Sequence, residues 1–97
     1  MSHREADPVV RALSPGLLGT AGPWEIIAGS AEQTRRIRVQ TTAEVELRIM
    51  NAEAECASIM IPSGANPDPI TLPPLCRLQA RRPGAFATAV TLIAMVE

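Results

Sequence analysis

From residue 35 to residue 49, past the first position, polarity alternates without a break. Ile37, Val39, Thr41, Ala43, Val45, Leu47 and Ile49 hold the odd positions, and Arg36, Arg38, Gln40, Thr42, Glu44, Glu46 and Arg48 the even ones. Period two puts one side of an extended chain in a core and the other in water. A single strand over this span would far exceed the usual length of about five or six residues, so a hairpin or a bend near Thr41 and Thr42 is predicted despite the absence of Gly. A hairpin keeps both apolar sets on one face only if its loop has an odd number of residues. A loop of Gln40, Thr41 and Thr42 meets that condition and sets Arg38 opposite Glu44 and Arg36 opposite Glu46. Such pairs favour a register by about 0.2–1 kcal/mol each. The charges read as a solvated outer face.

Turn formers divide the rest of the chain into shorter strands. Residues 24–27 are entered from Gly22-Pro23 and left through Ala28-Gly29-Ser30, and residues 56–61 stop at Pro62. Ile70–Leu72 and residues 75–80 flank the Pro73-Pro74 break. The stretch 62–69 is an exposed loop, because its prolines supply no ladder donors and restrict the residues before them. Arg82-Pro83-Gly84 suits a type II turn. The closing segment, residues 85–96, carries no charge, which predicts a strand buried on both faces, inside a sandwich or at a subunit interface. A buried helix competes, but the β-branched residues and the Pro-Gly turn favour a strand.

Ahead of Trp24, Pro8, Pro15 and Pro23 with Gly16, Gly19 and Gly22 leave room for at most one short helical turn around Val9–Leu13. Residues 1–23 therefore read as an extended arm. Its Val9, Val10, Leu13, Leu17 and Leu18 are more apolar than a solvated linker needs, so the arm either lies back over its own domain or docks on a neighbour. These five are the candidate partner contacts, and deletion of residues 1–19 is expected to leave the rest folded. Trp24, Val90, Leu92, Ala94 and Val96 are the candidates for the core or a subunit interface.

Six to eight short strands without a credible amphipathic helix make the chain all-β: a small antiparallel β-sandwich or jelly-roll-like barrel over residues 24–97, behind the arm. At 97 residues, 46% hydrophobic and 20% charged, it is one domain. A domain of this size buries only about 60% of its unfolded surface, so oligomerisation is a natural source of stability. A net charge of −1 leaves no basic stripe for phosphates, which argues against nucleic acid as the main partner. The terminal apolar run falls short of the roughly twenty residues that cross a bilayer as a helix, so no membrane anchor is expected. The first residues, Met1 to Pro8, lack the apolar core of a signal peptide, which implies synthesis in a reducing compartment. Cys56 and Cys76 are accordingly expected as two buried free thiols, with a lone disulfide as the alternative.

Candidate chemistry is sparse. The one His, His3, sits in the arm, which is a poor base for acid, base or metal work. Cys76 beside Arg77 is the better candidate nucleophile of the two cysteines, yet its alternating surroundings suit a core thiol. Glu44 with Glu46, and Glu53 with Glu55, each put two carboxylates on one side of a strand, but neither pair has the Asn, Asp and Gly of a calcium loop. There is no Lys, no phosphate-cradling glycine loop and no nucleophile elbow. Trp24 and Phe86 are the only aromatics, too few for a sugar or single-strand stacking platform, and Trp24 reads as a plug for the sandwich edge. A non-enzymatic protein without cofactor or metal is expected.

The order of Trp24-Glu25-Ile26-Ile27-Ala28-Gly29-Ser30, the alternating run from Arg36 to Ile49, a Gly/Pro loop, Ile70-Thr71-Leu72-Pro73-Pro74-Leu75 and a final apolar strand resembles the small β-sandwich structural proteins of tailed-phage virions. The likeness covers roughly residues 20–97 and is one of pattern. It implies a capsid decoration or cement protein located in the virion, with the major capsid protein or another virion protein as partner. It further implies a homo-oligomer, trimer favoured, in which a terminal arm reaches the neighbouring subunit. Tail, neck or head-fibre roles are the nearest alternatives, and a cytoplasmic bacterial β-sandwich binding module is the alternative from another class. The absence of repeats and the few aromatics count against host recognition.

Overall fold

A computed structural model describes residues 8–17, 20–63, 68–84 and 88–97. These hold eight strands: β1 (Val9–Leu13), β2 (Glu25–Ala28), β3 (Arg35–Thr41), β4 (Val45–Asn51), β5 (Ala54–Ile61), β6 (Ile70–Leu72), β7 (Cys76–Arg81) and β8 (Val90–Val96). They form two four-stranded antiparallel sheets packed face to face, the first in the order β1-β8-β3-β6 and the second β2-β7-β4-β5. β1 pairs with β8, β2 with β7, β3 with β6 and β4 with β5. The chain is thus one long antiparallel ribbon, closed at the β4–β5 hairpin and folded over into two sheets. That topology is an eight-stranded jelly roll.

The core is the inward half of each alternating pattern. Ile37 and Val39 of β3, Val45, Leu47 and Ile49 of β4, Leu78 and Ala80 of β7, and Val90, Leu92 and Ala94 of β8 meet between the sheets. Each large aliphatic side chain removed from water this way contributes about 1.5–3 kcal/mol. Gly22 is required by close approach, since a Cβ there would land on the carbonyl oxygen of Ser14.

Three sequence expectations change. β3 and β4 do not form a hairpin, because residues 42–44 carry the chain from the first sheet to the second. Alternation decides which side of a strand faces the core, not which strand lies beside it. Arg38 therefore pairs with Glu97 at 2.8 Å, and Glu46 with Arg81 at 2.7 Å. The crossing is tied by its hydroxyls: Thr41 Oγ1 donates to the Ala43 carbonyl at 2.8 Å, and Thr42 Oγ1 accepts from the Thr91 amide at 3.3 Å.

Val9–Leu13 is a strand, not a helical turn, and lies back over its own domain as the edge of the first sheet. β8 is the third difference: it sits between β1 and β3 with one face buried, while Thr91, Met95 and Val96 are exposed. A charge-free strand can face water on one side, because single apolar groups such as Ile93 and Met95 beside Thr91 are ordinary on a protein surface. The first residues of that segment, 85–87, lie outside the described residues, and with them the end of the Arg82-Pro83-Gly84 turn.

Candidate functional site

The outer face of the second sheet carries the densest set of interacting side chains. Register aligns Arg81 with Glu46 and Met60 in one row, and Ile26, Gln79, Arg48 and Ser58 in the next. Trp24, just ahead of β2, completes the first row. The guanidinium carbons of Arg48 and Arg81 stand 4.0 and 4.4 Å from the centre of its ring. Each guanidinium is also fixed laterally, Arg81 Nε donating to Glu46 Oε1 and Arg48 Nε to Gln79 Oε1, both at 2.7 Å. Trp24 is thus half-buried ahead of edge strand β2, stacked with two oriented cations, and it is not part of the core cluster between the sheets. Half-exposed Ile26 lies on β2 close by it, and half-exposed Met60 lies on β5 at the opposite edge of the same sheet. Trp, Arg and Met on one face are the residue types that concentrate binding energy at protein interfaces.

The outer face of the first sheet is plainer. Val10 lies beside Ile93, and Met95 beside Arg38. A shallow depression of about 200 Å³ is lined by Gln40, Thr41, Thr42, Thr91 and Ile93. Ligand pockets usually span about 300–1,000 Å³ and enclose most of their ligand, so this one suits a few waters.

Among the residues expected to touch partners, Leu13 is 1% exposed and belongs to the chain's own core. Val9 packs half-buried against that core. Val10 and Leu17 stand out at 55% and 86% exposed, and Leu18 lies outside the described residues. Of the other set, Val90, Leu92 and Ala94 are core residues, while Val96 is exposed. The outward positions of β4 and β7 are legible as polar, but nothing in the sequence brings Trp24 onto Arg48 and Arg81. That needs β2 beside β7 and β7 beside β4.

The cysteines differ from one another. Cys76 is buried, whereas Cys56 is exposed rather than buried; both are free thiols. Burial first, and the neighbouring Cys56 thiol second, push the Cys76 thiol above its ordinary value of 9.0. A nucleophilic cysteine needs the opposite shift. Among the described residues no three His, Cys, Asp or Glu side chains gather into a metal site.

No protein-family model, curated protein or solved structure matches the chain.

Proposed function

We propose that this chain is a non-enzymatic structural protein of a tailed-phage virion, a decoration or cement protein that binds the outer capsid lattice and stabilises it by spanning adjacent subunits. The observation that carries the reading is Leu17, 86% exposed, beyond a strand whose Val10 is 55% exposed. The sandwich thus presents apolar side chains beside its N-terminal edge strand, where contact with a major capsid protein would bury them. Burial there contributes roughly 25 cal/mol per Å², and repeated copies on a lattice multiply weak contacts by avidity. The Trp24–Arg48–Arg81 face supplies a second contact surface, suited to an acidic partner. The jelly roll itself recurs in viral capsid domains and in lectins, a likeness of fold that adds support by analogy.

The test is proteomics of density-purified particles released from the source culture after prophage induction. The chain is expected in the particles at a copy number comparable with the capsid protein. A copy number near that of tail or neck components moves it to those positions. Absence from the particles overturns the reading and favours the cytoplasmic binding module.

A further inference from the structure

We infer that β5 is a self-complementary edge through which two copies of this chain pair antiparallel, joining their second sheets into one. The inference goes beyond the virion reading and does not depend on it.

The two sheets have four edges, and three are blunted in ways that discourage pairing. β6 has three residues between Pro69 and Pro73. β2 has four, breaks register between Ile26 and Ala28, and follows Pro23 closely. β1 begins after Pro8 and carries an exposed Arg11. β5, with eight residues, is the longest strand described and is exposed at every position from Ala54 to Met60. No charge occurs from Cys56 to Ile61. On its free side no strand is paired among the described residues. Both faces hold apolar groups: Ile59, opposite Leu47, is 37% exposed on the inward face, and Met60, opposite Glu46, is 50% exposed on the outward face.

The partner is a second copy because the strand complements itself in one register. Antiparallel neighbours share faces, so a two-fold axis normal to the sheet must pass through a residue position. With the axis through Ile59, Ile59 meets its symmetry mate, Ala57 meets Ile61, and Ser58 meets Met60. Two large groups are each placed against a small one, and the inward face closes as a single aliphatic row. The regular stretch also ends correctly. At one end Cys56 is a bulged residue without a partner on β4, and at the other Pro62 lacks an N–H. The same axis places Cys56 opposite Pro62, so both copies stop pairing together.

Charge agrees with this register. Ser58 lies beside Arg48 and Met60 beside Glu46 on β4. An axis through Ile59 therefore sets Arg48 of one copy in the row of Glu46 of the other. An axis through Ser58 would align Arg48 with Arg48, and one through Met60 would align Glu46 with Glu46. Glu55 falls outside the paired stretch. A ladder this short buries less than the roughly 800 Å² per partner of a standard interface, so association in the micromolar range is expected. The contact is two-fold and closes at two copies, in place of the trimer that the resemblance implies.

The experiment is sedimentation equilibrium of the full chain from low to several hundred micromolar. The wild type is expected to rise to twice the chain mass. Ile59→Lys and Ile59→Glu are each expected to stay at the single-chain mass, and an equimolar mixture of the two to return to twice that mass, since position 59 opposes itself. Should either variant lose its β-sheet circular dichroism, hydrogen exchange of the wild type decides. Amides of residues 57–61 are then expected to exchange at least several-fold more slowly at high concentration. A single-chain or threefold mass at every concentration overturns the inference, as does a dimer that survives Ile59→Lys. A mixture that stays at the single-chain mass overturns the Ile59-centred register. None of these outcomes depends on whether the chain is found in particles.

Discussion

Arg82 is the one charged side chain among the described residues that the fold takes almost wholly out of water. Its Nε donates to the Thr88 carbonyl at 2.8 Å, Nη2 to Thr88 Oγ1 at 3.4 Å, and Nη1 to the Glu44 carbonyl. Its own carbonyl accepts the Gly22 amide at 2.9 Å. One guanidinium thus ties the approach to β8, the β3–β4 crossing and, through its backbone, the entry to β2. Arg82→Ala removes the donors from partly buried acceptors on Thr88 and Glu44, with an expected loss of about 1–3 kcal/mol in urea denaturation. Arg82→Lys is expected to recover only part, because an ammonium cannot span both carbonyls. Cys76 gives a prediction in pH. Its folded thiol is pushed up by burial from 9.0, so the unfolded chain ionises first. Its contribution is complete below about pH 9 and falls as pH rises further. Denaturation midpoints are expected to fall above that pH in the wild type and to fall less in Cys76→Ala. Leu75, at φ 64 before Cys76, could not be read from sequence at all. A left-handed residue in a Pro73–Cys76 turn is expected to be Gly or Asn.

At the scale of elements, β1 bears most on how the chain can be cut. Five residues pair with β8, and Leu13 at the end of the strand is 1% exposed. Deletion of residues 1–19 is therefore expected to unfold the domain, contrary to the expectation for a free arm. Deletion of residues 1–7, which stops ahead of every strand among the described residues, is expected to leave the thermal midpoint within a few degrees of the wild type. Circular dichroism melting of the two truncations separates these outcomes. The sequence was ambiguous here because Val9-Val10-Arg11-Ala12-Leu13 is too short for either period to stand out. β3 and β4 were legible as strands with their faces assigned, yet their separation into two sheets was not.

At the scale of the molecule, one continuous cluster from both sheets forms the core, with Leu13 and Leu92 from the first and Leu47 and Leu78 from the second. Neither sheet can bury its inner face alone, so they are expected to unfold together. Trp24 is the chain's single tryptophan, and its platform on the second sheet reports that sheet's loss. Its fluorescence and far-ultraviolet circular dichroism are expected to trace coincident urea transitions at one fixed protein concentration. Separated midpoints would show that the second sheet's outer face opens before the core.

By itself the sequence determined the all-β class, the inward and outward sides of most strands and the prolines that end them, because these depend on local stereochemistry and on the two-residue period of an extended chain. Only the tertiary structure decided which strands are neighbours. That choice turned a hairpin into a crossing, drew Val9–Leu13 into a sheet, gathered Trp24 with Arg48 and Arg81, and left β5 as the open edge. Pairing between distant segments is set by how one ribbon folds to bury both faces at once, which no window of neighbouring residues records.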